Sequence, residues 1–186
     1  MPETTDDNEL IRRFIEGDEH AFNLLAMKYQ QRIYWHARRM TGSHDDADDV
    51  LQEVLLVLYK KLKEFRQQST VYTWIYRVTA TRAINYIRKK NLKRFFSLDQ
   101  EDAEELIASE DIVTDYVRKE KLAHIEKLLQ KLPVKQREVF VMRHYDELSY
   151  EEIAEITGKS VGGLKANYYH AWEKLNALME TEYEKH

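Results

Sequence analysis

The chain predicts an all-α protein, and three observations predict it. Gly and Pro number only 5 and 2 among 186 residues, so few positions interrupt a helix. Leu, Ile, Ala, Glu and Lys recur at three- and four-residue spacing along most of the chain, the period of a helix buried on one side. The scarce breakers also fall where helices need punctuation, with Asp18, Gly42, Pro133, Ser149 and Gly158 each at the edge of a periodic run.

Charge divides this chain into three. Residues 1–97 carry a net +4, residues 98–120 a net −7 and residues 121–186 a net −1, within a total of −4. The acidic stretch is the expected linker between two small helical domains, and the length suffices for each to bury a core. There is no cysteine, which excludes disulfides and thiolate metal sites and fits a reducing compartment. No apolar run approaches the roughly 20 residues that span a bilayer. The acidic start, Met1-Pro2-Glu3-Thr4-Thr5-Asp6-Asp7, lacks the plan of a signal peptide. A cytoplasmic protein without membrane insertion is expected.

In the first domain, residues 8–16 read as a short helix stopped by Gly17. Asp18 caps a second helix whose inward line is Phe22, Leu25, Tyr29, Ile33 and Ala37, and Gly42 ends it as a left-handed cap. A third helix is expected over about 45–65, opened by Ser43 with Asp45 and Asp46 at the positive end of the dipole. Its core stripe is Ala47, Val50, Leu51, Val54, Leu58, Leu62 and Phe65. The opposite face reads Asp49, Gln52, Glu53, Leu56, Lys60. Leu56 is either a stray surface leucine or the apolar centre of a docking face with a polar rim.

The segment 60–94 holds eleven Lys and Arg against one acid, Glu64, in an otherwise acidic chain. Aromatics lie among these cations: Phe65, Tyr72, Trp74, Tyr76 and Tyr86, with Phe95 and Phe96 just beyond. Cations neutralise phosphates and aromatic faces stack on unpaired bases, so single-stranded nucleic acid is the functional reading and a solvated helix face the bland one. After the loop Glu64-Phe65-Arg66-Gln67-Gln68-Ser69, Thr70 or Thr73 can cap a fourth helix to about Asn91. Arg77, Thr81, Asn85 and Arg88 then share one face, flanked by Arg82 and Lys89, while Ala80, Ala83, Ile84 and Ile87 face the core. Trp74 falls on the basic side, where burial under the preceding loop is favoured over base stacking.

In the second domain a helix over 113–132 turns Leu122, Ile125, Leu128, Leu129 and Leu132 inward. Pro133 stops it and opens the next, over about 134–144, which buries Val139, Phe140 and Met142. Ser149-Tyr150-Glu151-Glu152 is a capping box opening a short helix with Ile153, Ala154 and Ile156 inward. Gly158 turns the chain and Ser160 caps a last helix over about 161–179, with Leu164, Tyr168, Ala171, Leu175 and Leu178 inward. Short helix, glycine turn and longer helix form the helix-turn-helix plan, whose second helix enters the major groove. The outward residues near its start are Gly162, Lys165, Ala166, Tyr169 and His170. The same pattern occurs in bundles that touch no DNA.

Taken together, the two halves resemble a known family. Asp45-Asp46-Ala47-Asp48-Asp49-Val50-Leu51-Gln52-Glu53, Phe65-Arg66 and Tyr72-Thr73-Trp74-Ile75-Tyr76-Arg77-Val78 are similar to the second conserved region of bacterial extracytoplasmic-function sigma factors. Leu132-Pro133 with Arg137-Glu138, Leu148-Ser149-Tyr150-Glu151-Glu152-Ile153-Ala154 and Ser160-Val161-Gly162 resemble their fourth region. The resemblance omits only the tails and linker. It implies a region-2 domain over 1–97 and a region-4 domain over 121–186.

It further implies that Asp48, Asp49, Gln52, Glu53 and Leu56 dock on the clamp helices of the largest RNA polymerase subunit. Phe65, Arg66, Gln67, Gln68, Ser69, Arg77, Thr81, Arg82, Asn85, Arg88 and Lys89 would capture the unpaired strand of the minus-ten element. Lys165, Ala166, Tyr169 and His170 would read the minus-thirty-five element in duplex form, with Arg137 and Ser160 touching phosphates. The fourth region would meet the flap of the second-largest subunit, and the acidic linker would thread channels otherwise used by RNA. An anti-sigma partner is expected, the free chain is expected to be a monomer, and no cofactor or metal is implied.

One departure stands out. Where the family carries several arginines along the last helix, this chain has Asn167, His170, Trp172 and Glu173, and residues 149–175 carry a net −1. Phosphate attraction by the isolated second domain is therefore weak, and Gly162-Gly163 lowers helix propensity where the helix would meet DNA. The alternatives are a stand-alone helix-turn-helix regulator, which needs duplex affinity of its own, and a helical mimic that sequesters a regulator. An enzyme is not expected. His20, His36, His44, His124, His144, His170 and His186 show no helical pairing or carboxylate set for a metal, and are expected at the surface or lightly packed. There is no phosphate-cradling glycine loop either.

Overall fold

The computed structural model describes residues 6–65, 69–96 and 124–183, with side chains as far as 181. Every regular element among them is helical: α1 Asp7–Ile15, α2 Glu19–Thr41, α3 His44–Lys61, α4 Val71–Phe96, a helix over 124–130 (α5), α6 Val134–Phe140, α7 Tyr150–Thr157 and α8 Val161–Tyr183.

Local chemistry sets most of the boundaries. The Asp18 side chain accepts a hydrogen bond from His20 N, and Gly42 ends α2 at φ 79°, where a side chain would be strained. Ser43 caps α3, and Thr70 Oγ1 accepts from Thr73 N at 3.1 Å to open α4. The capping box of α7 closes in both directions, with Ser149 N donating to Glu152 at 2.7 Å and Glu152 N to Ser149 Oγ at 3.1 Å. This draws the Glu152 carboxyl below its ordinary range, because the backbone N–H favours the charged form. Gly158 ends α7 at φ 70°.

Two boundaries differ from expectation. The end of α3 tightens into a 3₁₀ turn over Leu62–Glu64, after which Phe65 is extended. No glycine or proline marks that end; the buried Leu62 fixes the turn and the chain then leaves the core. Helix α4 continues to Phe96 rather than Asn91, since nothing between them breaks a helix and Lys93 and Arg94 suit its negative end. The second-domain helix expected over 113–132 is seen over 124–130, and residues 113–123 lie outside the described residues. Beyond Phe140, α6 widens into a π-helical turn, Val141–Tyr145, in which Asp146 N reaches back to Val141 O at 3.1 Å.

The core lies between α1, α2, α3 and α4, around Phe14, Leu25, Ile33, Met40, Val50, Val54, Leu58 and Ile75. It continues without a break into the second half through Leu128, Leu129, Leu132, Phe140, Ala171 and Leu175. A second cluster joins Tyr76 and Ala80 of α4 to Val139, Met142, Leu148, Ile153, Ile156 and Leu164. The two halves are thus packed on each other through α2 and α4.

Candidate nucleic-acid and partner interfaces

Helix α3 buries Ala47, Val50, Val54 and Leu58 and leaves Asp49, Gln52, Glu53 and Leu56 exposed. Leu56 is 53% exposed and sits inside this acidic and amide rim. Asp48 is half-buried, with its carboxylate 3.6 Å from His44 Nδ1. Asp49 accepts from the Tyr86 hydroxyl at 3.0 Å, and Tyr86 also donates to the buried Asp46, which takes Lys90 Nζ at 2.7 Å. These contacts tie the start of α3 to α4 and hold the acidic face rigid. Tyr59, one turn beyond Leu56, is 42% exposed although its ring packs on Phe14 and Phe22, and it was not singled out from sequence. Its spacing of three from Leu56 was the available signal.

Helix α4 presents Arg77, Thr81, Asn85, Arg88 and Lys89 to the surface while Ala80, Ala83 and Ile87 are buried, and Arg82 is intermediate. The Thr81 hydroxyl donates to Arg77 O at 2.8 Å, so towards a base it offers an acceptor only. Arg77 Nη2 donates to Glu155 O of α7 at 2.8 Å, so this end of the stripe touches the second half while its side chain stays exposed. Phe65 packs on Trp74 with ring centroids 5.2 Å apart, and both are partly buried. Phe65 is thus held against the start of α4. Ser69 is half-buried, and Arg66, Gln67 and Gln68 lie outside the described residues.

On α8, Lys165, Ala166, Tyr169 and His170 are all exposed. Lys165 Nζ lies 5.6 Å from the centre of the Tyr150 ring. Glu173 holds the other two, with His170 Nδ1 at 3.6 Å and a hydrogen bond from Tyr169 that raises the tyrosine pKa. An acid therefore stands beside these exposed residues, in keeping with the scarcity of cations along this helix. Ser160 Oγ accepts from Gly163 N at 3.2 Å, so its hydroxyl oxygen serves the helix end. Trp172, 44% exposed, lies one turn beyond Tyr169 and packs partly on Phe140.

The expected phosphate contact at Arg137 needs correction. This side chain is 6% exposed, and its guanidinium donates to Met40 O, to the Gln130 side chain, to Gln130 O at 3.0 Å and to Leu132 O at 3.2 Å. It fills the gap between α6 and the end of α2, where last-turn carbonyls lack partners within their own helix. Burial lowers its pKa to about 10. His36 also departs from the lightly packed state expected of the histidines. It is fully buried, with Nδ1 2.7 Å from Asp146 Oδ2. Among the described residues, no three His, Cys, Asp or Glu side chains converge as a metal site would require.

Comparisons with known proteins agree with this layout. Residues 25–93 match the family model for Sigma-70 region 2, and residues 122–175 match that for Sigma-70, region 4. The RNA polymerase sigma-H factor of Pseudomonas aeruginosa is 32% identical over 181 residues, covering 94% of each chain. The ECF RNA polymerase sigma-E factor of Escherichia coli K12 is 32% identical over 183 residues, covering 95% of each. In fold the chain is similar to CnrH, solved in complex with the cytosolic domain of CnrY (TM-score 0.70, 22% identity, 94% of this chain and 97% of that one). It is also similar to the sigma factor RpoE of Bartonella quintana, solved with the anti-sigma factor NepR (TM-score 0.68, 22% identity, 86% and 96%). A helix with an acidic face, a one-sided basic helix and a helix-turn-helix occur here in the order of those two regions, and the chain belongs to the extracytoplasmic-function group of the sigma-70 family.

Proposed function

We propose that this sigma factor divides its work among three exposed helix faces. The chain is a transcription initiation factor that binds core RNA polymerase and directs it to promoters. Asp48, Asp49, Gln52, Glu53 and Leu56, extended by Tyr59, dock on the polymerase, with Leu56 as the apolar centre of a charged rim. Arg77, Thr81, Arg82, Asn85, Arg88 and Lys89 hold the unpaired minus-ten strand. Lys165, Ala166, Tyr169 and His170 read the minus-thirty-five duplex. The domains run over 1–97 and 121–186, joined by the acidic 98–120.

The observation that carries this reading is the sidedness of α4: each residue of its cationic and amide stripe is exposed or intermediate, while the alanines and Ile87 on its other side are buried. A helix that merely filled a bundle would have no need of that concentration of exposed charge. The protein itself performs no chemistry; the polymerase does the nucleotidyl transfer. We place it in the cytoplasm, and no described helix is long and apolar enough to cross a membrane. An anti-sigma partner fits, since the RpoE of Bartonella quintana, similar in fold, was solved with the anti-sigma factor NepR. A stand-alone regulator is disfavoured by the net −1 over residues 149–175, which leaves little duplex affinity without polymerase. Transcription in vitro with core polymerase, with and without the chain, tests the reading. New start sites appear only with the chain if it holds, and none appears if it fails.

A further inference from the structure

Helix α2 carries four cations, and they are held in two ways. Lys28 pairs with Asp7 at 2.6 Å and Arg38 with Glu126 at 2.9 Å. Arg32 and Arg39 instead lie on aromatic rings. The Arg32 guanidinium is 5.7 Å from the centre of the Tyr72 ring, and that of Arg39 is 5.5 Å from Trp35 and 4.3 Å from Tyr145. A guanidinium stacked on a ring still presents its in-plane N–H fork to an anion.

Both arginines line one cleft of about 500 Å³, between α2, the start of α4 and the turn that follows the π-helical segment. Small-molecule sites run from roughly 300 to 1,000 Å³. Two helical turns separate Arg32 from Arg39, roughly 10 Å along the axis, so one cation stands by Tyr72 and the other by Tyr145. Trp35, between them in sequence, also lines the cleft and is 41% exposed, although tryptophan is highly buried on average. Burial raises the pKa of Tyr72 and of Tyr145, so each hydroxyl keeps its proton and can donate at neutral pH.

Two carboxylates share this lining. Asp146 is turned to His36 Nδ1 at 2.7 Å with its side chain 5% exposed, so it already has its partner. Glu147 is exposed and sits in left-handed backbone at φ 58°, the one such non-glycine among the described residues. Strained backbone of this kind gathers at binding sites. The cleft therefore opens with two cations, one acid and an uncovered indole.

We propose that this cleft binds a free nucleotide, with its base on the open face of Trp35, its phosphates on Arg32 and Arg39, and Glu147 accepting from a ribose hydroxyl or an exocyclic amine. Aromatic faces stack on any base, and guanidinium forks match phosphate oxygens. A bare anion would leave Trp35 unused, and an uncharged ring would leave both arginines without a partner. Residues of both halves line the cleft, so a bound nucleotide also stabilises the folded chain. The site uses none of the three faces assigned above to polymerase and promoter, and it stands apart from that reading.

GTP and ATP are the probes, since nothing in the lining selects one base. Trp35 is one of three tryptophans, so Trp35→Phe identifies its share of the fluorescence. Titrated into the full chain, at least one nucleotide should quench that share and release heat with a Kd below about 100 μM. Pyrophosphate and the matching nucleoside, tested apart, should each bind at least about tenfold more weakly. Arg32→Ala removes an exposed side chain and should weaken the nucleotide about tenfold. Arg39→Lys keeps the charge but loses the planar fork, and should weaken it severalfold. Both variants should melt cooperatively and, unlike the wild type, gain little in melting temperature from added nucleotide. Neither quench nor heat at about 1 mM of either nucleotide would overturn the site, as would wild-type affinity in both well-folded variants. Pyrophosphate binding as tightly as the nucleotide would overturn it too, because the cleft would then hold an anion and have no place for a base.

Discussion

Replacing Leu56 with Ala, Asp49 with Asn and Gln52 with Ala should weaken binding to core polymerase while leaving the fold intact. Leu56 is already about half covered, at 53% exposure, so docking can bury only the remainder. Full burial of a leucine is worth roughly 1.5–3 kcal/mol, so its remaining half contributes about 1 kcal/mol, or roughly fivefold in Kd. Losing the Asp49 charge and the Gln52 amide on the rim should multiply this several times more, for a combined loss of about 20- to 50-fold. Little stability is at stake: all three side chains point outward, an amide at position 49 still accepts from Tyr86, and Asp46 remains a second partner for that hydroxyl. Titration of labelled protein with purified core polymerase, beside thermal melting by circular dichroism, separates the two quantities. An unchanged Kd with an unchanged melt would remove the docking face. A large fall in the melting temperature would show that these residues belong to the fold.

Lys165→Ala with His170→Ala should depress transcription from promoters keeping both elements, with the melting temperature nearly unchanged because both side chains are exposed; a change in melting alone would mean that α8 is not the reading helix. Arg88→Ala with Lys89→Ala should reduce the salt dependence of single-strand binding by about 0.7 in log–log slope per cation, measured on the isolated complex by anisotropy. Ser149→Ala should destabilise the second half by about 1 kcal/mol through loss of the α7 cap, read from chemical denaturation. The Glu152 half of that cap has a distinct pH signature. Its folded pKa lies below the ordinary glutamate value, so its contribution is complete at neutral pH and is lost as pH falls through the folded value. Glu152→Gln should flatten that acid limb.

What could be read from the sequence was what local chemistry decides. Asp18 and Gly42 mark α2 because a side-chain acceptor and a left-handed φ are requirements of single residues, visible without a neighbour. The α4 stripe was legible because helical geometry alone puts residues 77, 81, 85 and 88 on one face. The end of α3 was not, since a 3₁₀ turn there follows from Leu62 reaching the core and no residue type announces it. Arg137 and His36 were misjudged for one reason. Their partners Met40 and Asp146 lie 97 and 110 residues away in sequence, and only the packing of one half on the other brings them together. Phe65 was read both as the end of the α3 core stripe and as a loop residue, and its contact with Trp74 ties it to the start of α4.

Transcription in vitro on a promoter library, with purified core polymerase and this chain as the only added factor, tests the central claim most directly. The account predicts RNA starting at a small, shared set of sites carrying two elements at fixed spacing, and a sharp loss of those starts when either the α4 stripe or the α8 face is altered. Starts identical to those of core polymerase alone, or starts that ignore both faces, would contradict it.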